Sequence, residues 1–412
     1  VREIPLKHLA RINARTLPDD TDPAFDLRYL DIGAVGRGAL LAEPEPMTFA
    51  VAPSRARRRV SPGDTLISTV RTYLRAVWPV VGPTEDLVVS TGFAVLSPGP
   101  QLEPRYLGWV AQSDPFVEAI VARSVGVSYP AINPLEIGDI SVSVPDGERQ
   151  RLIADFLDAE TARIDALIAK KRRLADVAES RLRVHISKLT KAAVVVGLNG
   201  GGARPPEGWR AMRLRRCLSA IDYGIGEASE PAGAVAVLAM GNVDDCGRIV
   251  GECGGYVESK SVNPKLFVRS GDLLFNRTNS LAKVGKIGLV RDLVGPTTFA
   301  SYLVRLRTTS IADAAFLNYL LNTDEILGLV RSSALPSIGQ ANLKPSRYSE
   351  LQIALPVPDV QRGIVAELDA ERGQVDSLTG RLQRQLVLLR ERRQALITAA
   401  VTGDLDIPGA AA

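Results

Sequence analysis

The sequence predicts a mixed α/β chain of two similar halves, each a globular domain of short strands and helices followed by one very long helix. Three observations predict this. Gln150-Arg-Leu-Ile-Ala-Asp-Phe-Leu-Asp-Ala-Glu160 returns 211 positions later as Gln361-Arg-Gly-Ile-Val-Ala-Glu-Leu-Asp-Ala-Glu371, with Asp165 and Leu167 recurring as Asp376 and Leu378 in the same register. Glu148 to Val196 contains neither Gly nor Pro and carries an apolar residue every three or four positions, the spacing of a helix face. The segments ahead of both long runs are instead rich in Gly, Pro and β-branched residues in short alternating stretches, the signature of strands and turns.

Taken in order, residues 1–144 form the first domain, in which Leu87-Val-Val-Ser90 and Phe93-Ala-Val-Leu96 read as strands. Leu107 to Arg123 reads as helix, started or kinked at Pro115 because proline lacks an amide hydrogen. Residues 145–196 form the first long helix, about 65 Å at 1.5 Å per residue. Its expected seam is Ile153, Leu157, Glu160, Ile164, Leu167, Lys171, Leu174 and Ala178. Gly197 to Pro206 must break that helix, so 197–207 is a linker.

The second domain, 208–356, echoes the first near an offset of 208: Gly63-Asp-Thr-Leu66 matches Gly271-Asp-Leu-Leu274, and Arg28 to Gly33 is loosely mirrored by Ala236 to Gly241. The second long helix spans 357–403, with Ile364, Leu368, Glu371, Val375, Leu378, Leu382, Gln385, Leu389, Arg392 and Leu396 as its seam and 404–412 as a tail. Near its end Leu396-Ile-Thr-Ala-Ala-Val401 matches Leu189-Thr-Lys-Ala-Ala-Val194 at an offset of 207. The second copy has lost four residues, close to one turn, which preserves a buried face. Two readings stand for Glu160 and Glu371: solvent-tolerant positions, or acids that fix register by pairing with the opposite helix.

Composition narrows the function. The 412 residues, 46% hydrophobic, exceed what one core usually serves, so at least two domains are expected. The 50 basic and 46 acidic residues leave a net charge of +4, so any surface facing nucleic acid must be locally basic. Cys217, Cys246 and Cys253 lack zinc-site spacing and read as reduced thiols of a cytoplasmic protein. No basic start leads into an apolar run, and no stretch approaches 18 uninterrupted apolar residues, so neither secretion nor membrane insertion is expected.

Motifs of catalysis are missing. Lys283-Val-Gly-Lys286 lacks the spacing and hydroxyl of a phosphate loop, no Asn/Asp-Pro-Pro-aromatic tetrad exists, and the chain has only two histidines, His8 and His185. These features argue against an enzyme, a metal site or a cofactor in this chain. Asp64 and Asp272, at the repeated Gly-Asp turns, are the only repeated acids placed to suggest a nuclease, and turn formation explains both.

A chain with internal two-fold repetition suits a two-fold partner, of which duplex DNA is the commonest. Candidate contacts are Arg55, Arg57, Arg58 and Arg59 ahead of the Pro62-Gly63 turn, then Arg71, Tyr73 and Arg75 after a predicted strand. Arginine pairs with phosphates and reads guanine bidentately. In the second half Asn276, Arg277, Asn279, Lys283 and Lys286 offer amides for adenine and cations for phosphate, the two asparagines serving equally well as turn formers. Lys170, Lys171, Arg172 and Arg173 form either a solvated stripe or a face toward DNA or a partner.

Over almost its whole length the chain resembles the specificity subunits of type I restriction-modification systems. The helix starts Pro145-Asp-Gly-Glu-Arg-Gln-Arg-Leu-Ile153 and Pro358-Asp-Val-Gln-Arg-Gly-Ile364 resemble that family's proline, Glu-Gln, Ile pattern. So do Gly271-Asp-Leu-Leu-Phe-Asn-Arg-Thr-Asn279 with Val284-Gly-Lys-Ile-Gly288, Gly63 to Arg71, and Ala334-Leu-Pro-Ser-Ile-Gly-Gln-Ala-Asn-Leu343 in their respective places. Departures are Ser128-Tyr-Pro-Ala-Ile-Asn133 against Ala334 to Gly339, and Glu148-Arg-Gln150 against Val360-Gln361. The resemblance implies two target-recognition domains on an antiparallel pair of coiled-coil helices, each domain reading one half of a bipartite, asymmetric duplex target. It also implies two adenine methyltransferase subunits using S-adenosylmethionine, and two translocase-nuclease subunits using ATP and magnesium, as partners. The rival class is a coiled-coil scaffold whose globular ends bind proteins without DNA specificity.

Overall fold

Strand pairing repeats as the sequence does. The computed structural model describes residues 2–193, 205–226, 229–337 and 340–407, so most of the 197–207 linker, the end of the tail, and Ile338-Gly339 lie outside the described residues. The chain divides into two units, Val1–Arg172 with Leu382–Ala412, and Arg173–Arg381.

In the first unit, one antiparallel sheet runs in the order Ala10–Ile12, Phe93–Pro98, Thr65–Ser68, Val77–Pro79. A second sheet runs Glu45–Thr48, Asp26–Leu30, Leu87–Ser90, Ala56–Arg59, with its central pair parallel. The second unit repeats both plans. Its first sheet runs Leu218–Tyr223, Leu303–Thr308, Leu273–Asn276, Ile287–Leu289, and its second, of three strands, Tyr256–Val257, Val235–Leu238, Thr297–Phe299, with the last two parallel. In each unit the domain's first strand pairs with the strand that leads into its long helix: Arg2–Pro5 with Ser141–Val144, and Arg210–Arg213 with Gln352–Leu355.

Helices α1 (Pro104–Gln112), α2 (Asp114–Arg123) and α3 (Pro134–Gly138) precede the long α4 (Gly147–Thr190). In the second unit α5 (Ala314–Leu321), α6 (Asp324–Ser332) and α7 (Pro345–Ser349) precede the long α8 (Pro358–Thr402). Pro115, read as starting or kinking part of a helix over 107–123, starts one. The break is complete, because the Ser113 hydroxyl turns back to the Val110 carbonyl (2.7 Å) and Pro115 falls in the first turn of α2. Thr323 makes the same bond to Leu320 (2.8 Å) with no proline, so the hydroxyl is the shared helix stop.

Within the first unit Ile164 and Ile168 of α4 pack with Leu386 of α8, while Arg393 meets Asp165 at 3.1 Å and Lys171 donates to Gln385 at 2.6 Å. Within the second, Leu182 and Ile186 of α4 pack with Leu368 and Val375 of α8. The helices are antiparallel in both. The lost turn is accommodated as the repeat implied: Leu157 and Leu368 are fully buried at offset 211, and Ala193 and Ala400 are buried at offset 207.

The seam itself is displaced from its expected course. Ile153, Leu157, Ile164, Leu368, Val375 and Leu382 are buried, and Ile364, Leu378 and Leu389 half-buried. Leu167 and Leu174, however, are 46% and 48% exposed, and Arg392 and Gln385 are also exposed. From Leu157 the stripe steps four residues to buried Thr161, not three to Glu160, and then to Ile164 and Ile168. An α-helix turns every 3.6 residues, so a strict alternation of four and three outruns the buried face within a few turns. Glu160 pairs with Arg163 on its own helix, whereas Glu371 pairs across to His185, whose Nε2 lies 3.2 Å from Glu367. Of the two acids only Glu371 engages the opposite helix.

The repeated glutamine is the joint between domain and helix. Gln150 is 1% exposed: its carbonyl accepts from the Glu103 amide at 2.8 Å, and its side-chain nitrogen donates to the carbonyls of Pro145 (2.9 Å) and Gln101 (3.0 Å). Gln361, fully buried, accepts from the Asp313 amide at 2.8 Å and donates to Pro356 (2.8 Å) and Ile311 (2.9 Å). Glu103 and Asp313 cap the starts of α1 and α5. Eight residues along each long helix, Asp158 accepts from the Trp109 indole (2.9 Å) and Asp369 from the Tyr319 hydroxyl (2.7 Å).

Candidate nucleic-acid interface

Each unit raises a pair of loops beside its first sheet. In the first unit the chain leaves Thr65–Ser68 and is pinned to the segment after α2: Ile132 N donates to Thr69 O (3.0 Å), Arg71 N to Pro130 O (2.7 Å), and the Thr72 and Ser124 hydroxyls meet at 2.7 Å. Arg71 and Arg75 both take left-handed backbone, φ +52° and +57°, unusual outside glycine. Ordering a loop in so restricted a conformation requires its neighbours to hold it, and held strain concentrates at functional surfaces. The loops present Tyr73, Leu74, Val125, Val127 and Tyr129 to solvent, with Val127 wholly exposed. The exposed Arg71 guanidinium lies 4.6 Å above the Tyr129 ring, which orients the cation without neutralising it.

Arg75 is not so available. It pairs with Asp114, which is itself bonded to Thr398 of α8 (3.3 Å), so its charge is spent holding the domain to the helix. The run Arg55 to Arg59, expected near a turn, mostly forms the edge strand Ala56–Arg59. Arg55 donates to the Tyr29 hydroxyl (3.0 Å) and to Asp31 (2.8 Å), which hold its pKa above the ordinary arginine value. Arg57 lies 4.8 Å over Phe49 and 3.6 Å from Asp19. Arg58 is half-buried against Thr16 (3.2 Å), and burial lowers its pKa. Arg59 alone of the four is exposed with only a main-chain partner, the Glu85 carbonyl.

In the second unit the paired loops are joined by Leu343 N to Arg277 O (2.9 Å) and Thr278 Oγ1 to Asn342 Oδ1 (2.6 Å). Arg277 is half-buried, its guanidinium 5.3 Å over the half-exposed ring of Tyr223 and 3.3 Å from the Ser301 carbonyl. Asn276 is 1% exposed and donates to the Met240 carbonyl, so its amide points into the domain rather than toward a ligand at the surface. Asn279 accepts from the Ser280 amide at 2.8 Å as a turn former does. Lys286 pairs with Asp245 and is 12% exposed, while Lys283 is exposed. Structure thus leaves Arg71, Tyr73 and Lys283 exposed in loops and Arg277 half-buried, and draws Arg55, Arg75, Asn276 and Lys286 into internal partnerships. Sequence reasoning missed Tyr129 and Tyr223. Their signal was faint: a tyrosine in a Ser-Tyr-Pro turn, and another at a strand end, in a chain with 9 tyrosines.

The repeated acids are structural. Asp64 accepts from the Ser61 amide (2.8 Å) and pairs with Arg15 (2.6 Å); Asp272 accepts from the Arg269 amide (2.9 Å) and receives both arms of Arg307 at 2.7 Å. Among the described residues no group of three or more His, Cys, Asp or Glu side chains is placed to hold a metal, and no helix is long and apolar enough to cross a membrane.

No family model matches the chain. Two curated relatives are the StySPI type I restriction enzyme specificity subunit of Salmonella potsdam, 22% identical over 75% of this chain and 67% of the relative, and the EcoKI specificity subunit of Escherichia coli (strain K12), 21% identical over 76% and 68%. Among solved structures, a chain from a study of complex assembly and conformational transition in a type I restriction-modification system superposes with a TM-score of 0.72, at 23% identity over 98% of both chains. That match concerns the fold.

Proposed function

We infer that this chain, which stands by sequence and fold among the specificity subunits of type I restriction-modification systems, is their non-catalytic DNA-recognition component, each domain reading one half of a bipartite duplex target. The observation that carries the reading is the pair of loops found in both units, with Arg71 over the solvent-facing Tyr129 of the neighbouring loop in the first and Arg277 over the half-exposed Tyr223 at a strand end in the second. Such a pair presents a fixed cation to phosphate or to guanine, with an aromatic hydroxyl beside it. The long helices set the unread spacer and dock two methyltransferase subunits, through which S-adenosylmethionine-dependent adenine methylation acts on chromosomal DNA in the cytoplasm. Two translocase-nuclease subunits, with ATP and magnesium, complete the restricting form.

Mapping adenine methylation by single-molecule sequencing, with the gene intact and deleted, tests this directly. Loss of methylation at one split, asymmetric motif on deletion is the expected result. An unchanged methylome in cells expressing the protein and its methyltransferase would favour the protein-scaffold reading. Once the motif is known, Arg71→Ala is expected to weaken binding of the assembled methyltransferase to it by about 10- to 100-fold, the 1–3 kcal/mol of a bidentate base contact. That loss should fall on one half of the motif only. Arg59→Ala should weaken all duplexes alike and flatten the salt dependence by about one counterion. Equal behaviour of the two variants on every sequence would remove Arg71 from base reading.

A further inference from the structure

We propose that Gln150 and Gln361, with Asp158 and Asp369, are positioning residues that fix the angle of each recognition domain on its long helix and thereby enforce the spacer length; this rests on the recognition reading above. The glutamines are among the polar residues repeated identically in the chain, yet both are buried and touch no surface a partner could reach. All three bonds of each go to main-chain atoms, at the helix start, at the turn before α1 or α5, and at the cap of that short helix. Bonds to main chain make no demand on the side chains of the domain being seated, so the same joint serves two domains of different surface.

A single polar anchor fixes a point but not a direction. The second lies eight residues along the long helix, about 12 Å at 1.5 Å per residue, and meets a ring six residues along the short one. Trp109 occupies that place in the first unit and Tyr319 in the second, each donating to the aspartate at the same spacing from its glutamine. Chemistry differs while geometry is kept, which marks the position rather than the residue as what is preserved. Two anchors on each of two helices define their crossing angle. A duplex with one base pair added to the spacer carries its second half-site about 3.4 Å further and roughly 35° round the axis. A domain held at both points, and by the apolar packing of its short helices on the long ones, resists that displacement, and one that has lost an anchor resists it less.

The test uses the assembled methyltransferase with wild-type, Gln361→Ala and Tyr319→Phe chains, titrated against duplexes carrying the native motif with its spacer unchanged or altered by one base pair. Tyr319→Phe removes one hydroxyl and leaves Asp369 paired with Arg291 (2.9 Å), so this variant is expected to fold. Both variants should lose about fivefold or more of the discrimination between native and altered spacers, the equivalent of one hydrogen bond. Preference among sequences within each half should persist. Variants that lose affinity equally for every spacer, or lose none, would show the joint to be structural only and overturn the proposal. A wild-type complex indifferent to spacer length would instead overturn the bipartite recognition reading itself.

Discussion

Leu157→Ala is expected to destabilise the first unit by about 2–5 kcal/mol, the cost of removing a fully buried leucine from a core that only partly collapses. Leu157 is wholly inaccessible, in a cluster that includes Tyr106, Leu107 and Ile397. Leu167→Ala, three seam positions further along the expected course, should change stability by no more than about 0.5 kcal/mol, because the side chain is 46% exposed. Hydrogen exchange read peptide by peptide separates the two. Protection should fall across α1, the start of α4 and the end of α8 for Leu157→Ala, and nowhere for Leu167→Ala. Equal effects would mean that the helices pair along the strict heptad, and that the step through Thr161 is wrong.

Seven residues inserted into α4 after Arg172, together with seven into α8 after Arg381, should abolish methylation of the native motif and transfer it to one with the same halves and a longer spacer. A heptad adds about 10 Å of helix and returns the buried face to within some 20° of its starting direction, so the antiparallel contacts can re-form. Ten ångströms of duplex is about three base pairs. Those base pairs also turn the second half-site by about 100°, so the new complex should bind less tightly than the native one. Retention of the original motif would mean that the helices do not set the spacer, and would leave the domains' own contacts as the only source of spacing.

Much of the fold was legible because its signals are local or repeated. The start of α4 at 147 and of α8 at 358 follows from a proline, an aspartate and an unbroken helical run. The matching Gly-Asp turns, and the strand that follows each, were visible as short patterns and recur with the same sheet neighbours. The seam drifted because a heptad is only an approximation to 3.6 residues per turn, and burial of Thr161 was hidden by its polarity: its hydroxyl folds onto the Leu157 carbonyl at 2.6 Å and leaves the methyl to pack. The second sheet illustrates the converse. Ala56–Arg59 forms a fourth strand in the first unit, while around Val268 of the second a single bond to the Thr297 carbonyl (3.0 Å) stands at the matching edge, and nothing in composition foretold the difference.

The candidate interface was legible only in outline. Sequence placed arginines near turns but could not rank them, since a cation's availability depends on what faces it. Arg75 and Asp114 are 39 residues apart, Arg55 and Asp31 are 24 apart, and Gln150 reaches an amide 47 positions away. By itself the sequence determined the duplicated plan, the two long helices and the turn-forming acids, because periodicity, repetition and turn chemistry act between near neighbours in the chain. Tertiary structure alone decided that Arg71 faces solvent while Arg75 does not, and that the repeated glutamine is an internal joint. Those outcomes depend on distant segments meeting, where a charge is neutralised or an amide satisfied only by what the fold brings to it.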